Sequence, residues 1–415
     1  MKKICTVILI IMLNPIFFFS HAQGIVNSQR LLHVQVDGVW GFINLSGKIV
    51  IIPQFDAAEE FSEGLAAVQV GDAWGYTDST GLITINPEYD YAGKFADGLA
   101  VVQAEGNFGY INKSGELVIP LQFVSAEDFE NGIADVMVKV ENQPGPKHSY
   151  INKTGKPITE FDVVTLQSEG LILVRKEYKK GFIDTSGKVV IPIQFDDAKH
   201  FKEGFTAVKE NEKWGCIDKT GKFIVPPTFD LMKDEFSEGM IGVKVNGKWG
   251  FIDATGELKV PAQYDDVGYF SEGLASVLKE GKYGYVDKTG NMVIQPSFSK
   301  AFKFENGIAR VVGSFEAKEN DQTKIKEGWI LIDQNGKPVS QVMFVKEINR
   351  FEEGIASVRG LDNKYSYIDQ KGNFLTETKF DRADPWFRNG IARVYVGKKM
   401  GYIDKTGKYI WEPSE

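Results

Sequence analysis

Between Leu65 and Val70 the chain reads Leu-Ala-Ala-Val-Gln-Val, an apolar run suited to a half-buried strand. Gly71-Asp72 makes a turn, and Trp74-Gly75-Tyr76-Thr77 begins a strand returning beside the first. Asp78-Ser79-Thr80-Gly81 is a second tight turn, and residues 82–87 form a third strand stopped by its proline. Residues 88–98 are polar, with apolar positions at Tyr89, Tyr91, Ala92 and Phe95, and read as a loop or single helical turn. The pattern predicts a three-stranded antiparallel β-meander followed by a connector.

The same pattern recurs along the chain. Aromatic-Gly-aromatic-Ile-Asx motifs start at residues 40, 74, 108, 148, 180, 214, 249, 283, 329, 365 and 400, giving eleven units with a period near 35. A second motif, Phe61-Ser62-Glu63-Gly64-Leu65 and its relatives, follows each of the first ten starts by 22 to 25 residues, counted to its glycine. Between the two lies a third, seen as Pro53-Gln54-Phe55-Asp56 and Pro261-Ala262-Gln263-Tyr264-Asp265. Three motifs in register predict an all-β tandem array filling residues 23–415. An open solenoid or superhelix sets no limit on the number of units, whereas propeller rings typically hold about four to eight blades. The array begins with a first strand at residues 31–36 and ends with a third at 408–411, leaving no exchanged strand to latch a ring. The open array is therefore expected, with a β-propeller-like ring as the alternative.

Hydrophobic residues at 43% and charged residues at 25% suit a chain that buries a core. The formal net charge of -8 argues against a nucleic-acid partner. Residues 1–22 combine Lys2 and Lys3, an apolar run over 7–19 and a Ser20-His21-Ala22 cleavage site, and so predict a secretory signal peptide. The run is interrupted by Asn14-Pro15 and is shorter than the ~20 residues that span a bilayer. No transmembrane span is expected after cleavage before Gln23. Loss of the two lysines takes the net charge to -10, and Cys216 is left as the one thiol, so no intrachain disulfide is expected.

The Trp-Gly pairs, the Ile-Asp-Lys-Thr-Gly-Lys turns at 217–222 and 403–408, and the Phe-Ser-Glu-Gly element make the chain resemble the bacterial WG-repeat (KWG) family over nearly all of residues 31–415. The resemblance implies a repeat protein acting through interactions, and it carries over no catalytic residue. The fourth unit departs from the family pattern, with Lys147-His148-Ser149-Tyr150 replacing the Trp-Gly pair and Gln167-Ser168-Glu169-Gly170 replacing Phe-Ser-Glu-Gly. The ninth has Trp329-Ile330 and the tenth Tyr365-Ser366.

The repeated Asx residues, such as Asn44, Asp78 and Asp253, each precede a glycine by three positions, which fits a side chain bonding its own turn. A calcium site needs about six to eight oxygens, more than one such turn supplies. The glutamate of Phe-Ser-Glu-Gly gives way to Asn131, Asn306 and Asn389, so a turn or cap role is expected there too. The repeated tryptophans are expected to pack between successive sheets, and Cys216 to be a small buried hydrophobe. No catalytic pair stands out as a local exception to the consensus, and no catalytic, cofactor-binding or metal-ligating residue is assigned.

The expected function is an exported, non-enzymatic binding or scaffold surface for protein or cell-envelope glycan. The rivals are a carbohydrate-active or other envelope enzyme on a repetitive β fold and a purely structural surface array. Trp386 in Asp384-Pro385-Trp386 lies off the consensus and favours glycan if it lines a groove with other aromatics. Insertions near Pro144 and Asp321 lengthen the first hairpin of two units and are expected to project from one edge as recognition loops.

Overall fold

The computed structural model describes residues 30–140, 145–319, 322–342, 345–377 and 379–413. The expected signal peptide at 1–22 and the insertion tips at Pro144 and Asp321 lie outside them. Among the described residues every helix or strand is a strand, and the strands form eleven antiparallel sheets, one per repeat.

The second unit shows how a repeat is built. Its strands Ala57–Ala58, Leu65–Val70, Ala73–Asp78 and Ile83–Tyr89 lie side by side in chain order. Most sheets thus have four strands rather than three, because the connector carries a short strand that joins the next unit, with Ala57 opposite Gln69 and Ala58 opposite Val68. Two residues are too few to leave a periodic signal in sequence.

The third strand also runs further than expected. In the first unit it spans Ile49–Phe55, and its pairing jumps from Ile51 opposite Phe42 to Phe55 opposite Trp40. Ile52, Pro53 and Gln54 bulge opposite Gly41, so the proline sits inside the strand at a place where no ladder N–H is required. The bulge accounts for the glycine of the Trp-Gly pair. A Cβ on Gly41 would lie 2.6 Å from the Ile51 carbonyl oxygen, and one on Gly250 would lie 2.4 Å from that of Val260.

Turns behave as their residue types require. Asp253 Oδ1 accepts bonds from the Thr255 and Glu257 backbone N–H groups at 2.8 and 3.1 Å and from the Thr255 hydroxyl at 2.6 Å, the expected Asx arrangement. Glu63 and Gly64, with φ of 51° and 92°, are the two left-handed residues of a type I′ turn between the bridged Ser62 and Leu65. That glutamate does more than turn the chain. Its carboxylate accepts from the Gly98 N–H at 3.2 Å, in the same turn of the next unit, and pairs with Lys113 Nζ at 3.0 Å. Asp97, Glu169, Glu203, Glu238, Glu272 and Glu353 clasp the following unit in the same way. Among the described residues no such bond leaves Asn131, Asn306 or Asn389.

The core lies between sheets, with one apolar cluster at each seam. Phe251 packs edge-on against Phe270 of the next unit with ring centroids 4.7 Å apart, and Tyr110–Phe129 and Tyr285–Phe304 repeat the contact at 4.8 and 5.0 Å. Each such ring stabilises its seam by about 1.5–3 kcal/mol through burial. Trp214, Trp249 and Trp329 are buried as expected, whereas Trp40 and Trp74 are only half-buried.

The expected open array is corrected: the chain closes on itself. Leu32, Val34 and Ile43 of the first unit share a buried cluster with Ile391 and Tyr402 of the last. Arg30 Nη1 donates to the Arg388 carbonyl at 2.7 Å. A Cβ on Gly47 would lie 2.2 Å from the Ile410 carbonyl oxygen, the same close approach that Gly187 makes to Ile158 at an internal seam. Eleven sheets therefore form a β-propeller-like ring. The termini mislead because closure uses the apolar side that every unit offers its neighbour, and such a side needs no exchanged strand.

Candidate binding face

Consensus residues pin one segment of each unit in place. Tyr76 donates its hydroxyl to the Gly93 carbonyl at 2.7 Å, and Tyr110, Tyr285 and Tyr367 reach Glu127, Phe302 and Asp384 at 2.8, 2.7 and 2.6 Å. Each acceptor lies in the connector of the next unit, just before the phenylalanine that packs on the tyrosine ring. Where Phe42, Phe182 or Leu331 stands in place of the tyrosine, the segment is held by its own backbone N–H instead, as Glu59 to the Ala67 carbonyl, Lys199 to that of Ala207 and Asn349 to that of Ser357, each at 2.9 Å. The residues along these held segments are variable: Glu59-Glu60, Gly93-Lys94, Glu127-Asp128, Lys199-His200, Phe302-Lys303 and Asn349-Arg350. A fixed backbone thus carries changeable side chains.

In units six to eight these side chains satisfy one another. Lys199 pairs with Asp234 at 2.8 Å, His200 with Glu235 at 3.2 Å and Lys233 with Asp266 at 3.0 Å. Lys233 Nζ also lies 4.7 Å over the Trp249 ring.

On the other side of the ring the same segment lines open cavities. One of about 760 Å³ brings together Glu59 and Glu60, Tyr91 and Lys94, Asp128, the half-buried Trp40 and Trp74, His33, and Arg393 from the last unit. His33 packs on Trp40 at 5.3 Å, and its Nδ1 is buried without a hydrogen-bond partner. Burial, then the Arg393 charge, lowers its pKa to about 4, so the imidazole is neutral at pH 7. Burial and the adjacent Glu60 push the Glu59 carboxyl above the usual range. Arg393 pairs with Asp384 at 3.6 Å, leaving its Nε buried and unbonded.

A second cavity, of about 500 Å³, lies across units nine to eleven and is lined by Phe302, Arg310, Trp329, Arg350, Arg359 and Trp386 among others. Smaller space opens between Arg30, Glu60, Trp386 and Arg388 at the closure. A fourth cavity, lined by Tyr150, Phe161 and Arg175, lies in the degenerate fourth and fifth units. The seams whose turns carry Asn131, Asn306 and Asn389, and so lack the carboxylate clasp, each border one of these cavities.

The local exceptions missed in sequence share one structural position. The first-strand residue paired with the third position of the aromatic-Gly-aromatic motif is Ala67, Val101, Leu173, Ala207, Gly242, Ser276 or Ser357 in seven units, but His33, Asp135, Arg310 and Arg393 in the other four. Aligning the units on that strand would have found them. Trp386, noted from sequence, does lie with other aromatics, and Arg350 and Arg388 stand 5.5 and 5.9 Å from its ring. Both insertions extend first hairpins as expected. In the longer one Ile308–Glu319 pairs with Gln322–Asp333, and the base of that hairpin carries Arg310 and Trp329 into the second cavity. Cys216 is fully buried, which pushes its thiol up to about 12.

A ring of small antiparallel sheets with a changeable connector at every seam defines a β-propeller-like repeat protein. The chain belongs to the WG-repeat family: the family described as "WG containing repeat" matches residues 40–72, 74–107, 108–139, 181–214, 214–249, 249–283, 283–312, 329–365 and 365–399. The unit starting at 148 and the last, at 400, fall outside those stretches yet form sheets like the rest. No curated protein matches the chain. Among solved structures, one of a eukaryotic initiation factor is 13% identical over 89% of this chain and 97% of that one, with a TM-score of 0.43. The extracellular domain of the hybrid two-component system BT3049 from B. thetaiotaomicron is 11% identical over 92% and 70%, with a TM-score of 0.21. One chain in a structure of an S. cerevisiae Dbp5 variant bound to Nup159, a Gle1 variant, IP6 and ADP is 9% identical over 61% of this chain and 74% of that one, with a TM-score of 0.25. At these TM-scores the likenesses carry no argument about this chain.

Proposed function

We propose that the protein is an exported, non-enzymatic ring scaffold that binds protein or cell-envelope glycan through the connector face. One observation carries this reading: the pinned but variable connector of successive units lines the open cavities, as in Glu59-Glu60, Lys94 and Asp128. Loops that vary on a regular scaffold are where recognition concentrates. Export is supported by the leader-like residues 1–22. The test is capture of envelope proteins and peptidoglycan by purified protein beginning at Gln23. Charge reversal by Glu60→Lys with Lys94→Glu is expected to abolish or redirect capture while the melting temperature stays near wild type. Capture unchanged by that pair would remove the binding role from this face.

A further inference from the structure

The cavity across units nine to eleven runs against the charge of the molecule. The chain carries a net charge of -8, yet Lys300, Arg310, Lys346, Arg350 and Arg359 line this space against one acid, Glu347. The repeat supplies its own control. Where unit nine has Arg310, units two, five and six have Ala67, Leu173 and Ala207, so the fold has no need of a cation there. Burial holds the Arg310 guanidinium below its ordinary range, with Glu305 opposing and Arg350 adding to the effect. A group kept at such cost, where apolar residues serve the other units, points to a ligand rather than to stability.

The geometry narrows the ligand. Arg310 Nη1 donates to the Ile348 carbonyl at 2.6 Å and its guanidinium lies 4.7 Å over Phe302, so the group is held in place. Arg359 Nε is buried with no hydrogen-bond partner. Phe302 stacks on Trp329 at 5.6 Å, and Trp386 lines the same cavity with Arg350 beside it. Guanidinium forks match carboxylates, and aromatic faces accept the apolar face of a ring. An extended acidic peptide fits less well. The nearby edge strand Val345–Ile348 has its Lys346 and Ile348 carbonyls already taken by Trp329 Nε1 and Arg310, which blocks strand addition.

We infer that this cavity binds an anionic oligosaccharide, whose sugar carboxylates pair with Arg310 and Arg359 while a sugar ring lies on Trp386. The inference rests on the connector face being a binding surface and names the ligand class for one part of it. Calorimetric titration of the purified protein with hexagalacturonate tests it, with the fully methyl-esterified hexamer, a poly-glutamate peptide and single-stranded DNA as further arms. The acid is expected to bind, and its neutral ester to bind more weakly by about tenfold or more. Arg310→Leu, the residue unit five carries at this position, and Trp386→Ala are each expected to weaken binding by a similar factor with the melting temperature retained. Equal binding of acid and ester, no binding of the acid, or unchanged affinity in both variants would overturn the inference. Tighter binding of poly-glutamate or DNA would overturn it in favour of those classes. Envelope capture that persists in Arg310→Leu alongside unchanged galacturonate affinity would sink the glycan assignment and leave the binding face standing.

Discussion

Tyr402 donates its hydroxyl proton to the backbone carbonyl of His33, 3.1 Å away in space and 369 residues earlier in the chain. At internal seams the equivalent tyrosines reach the connector of the next unit, as Tyr285 does to Phe302 at 2.7 Å. The closing seam thus uses the same donor with a substitute acceptor. Tyr402→Phe and Tyr285→Phe are each expected to cost about 1 kcal/mol in denaturant unfolding. A loss confined to Tyr285→Phe would mean that the ring stands open in solution.

His33 should make stability depend on mild acid. Its pKa falls to about 4 in the folded ring, through burial first and Arg393 second, from 6.5 in the unfolded chain. Between those values the unfolded chain takes up the proton and the folded ring does not, so stability declines as pH drops from 6.5 toward 4. The full effect is on the order of 3 kcal/mol. His33→Leu is expected to flatten this window, and melting curves at pH 7, 5.5 and 4.5 would check it.

The carboxylate clasps predict a further, more acidic loss. The Lys113 and Lys405 hydrogen bonds, followed by the clasped backbone N–H groups, hold the Glu63 and Glu353 carboxyls below the usual range. Their contribution is present above the unfolded value near 4.5 and is lost as pH falls through the lower folded values. Glu353→Gln should reduce melting temperature at pH 7 and lessen the drop between pH 4.5 and 3. An unchanged acid profile would show that the clasp adds nothing to stability.

Gly250→Ala sets a Cβ 2.4 Å from the Val260 carbonyl oxygen, a backbone atom that cannot move without undoing the bulge. A cost of about 1–3 kcal/mol or more is expected from overpacking. Trp249→Ala, which empties a buried site, is expected to cost about 3–5 kcal/mol. Asp253→Asn keeps the turn acceptor and should be mild. Thermal melting of the three variants ranks them.

Cys216 is expected to resist thiol reagents at pH 8 while the ring is folded, since burial keeps the reactive thiolate scarce. Labelling should appear only with unfolding. Rapid labelling of native protein would show that the sixth unit opens while the rest of the ring stays folded long enough for the reagent to enter.

The units, their turns and the all-β class were legible because each rests on residues a few positions apart, such as Asp253 and Gly256. Features built across seams were not. The Glu63 carboxylate meets Gly98 in the next unit, and Tyr402 meets His33 only once the chain has come full circle. Consensus columns drew the eye to Trp249 and Asp253, which build the ring, and away from the variable column holding His33, Arg310 and Arg393. That column was readable from the sequence, but its meaning depended on which strand positions face a cavity.

Closure by an ordinary seam has a consequence for how the gene can change. An open array tolerates duplication of one repeat, because only two contacts are new. Here an added copy would shift the angle at every contact around the circle, so the copy number is held fixed by geometry. The break between first and last residue, by contrast, is nearly arbitrary. Joining the present ends and cutting between any two other repeats would preserve all eleven contacts, so circular permutants should be viable where length variants are not.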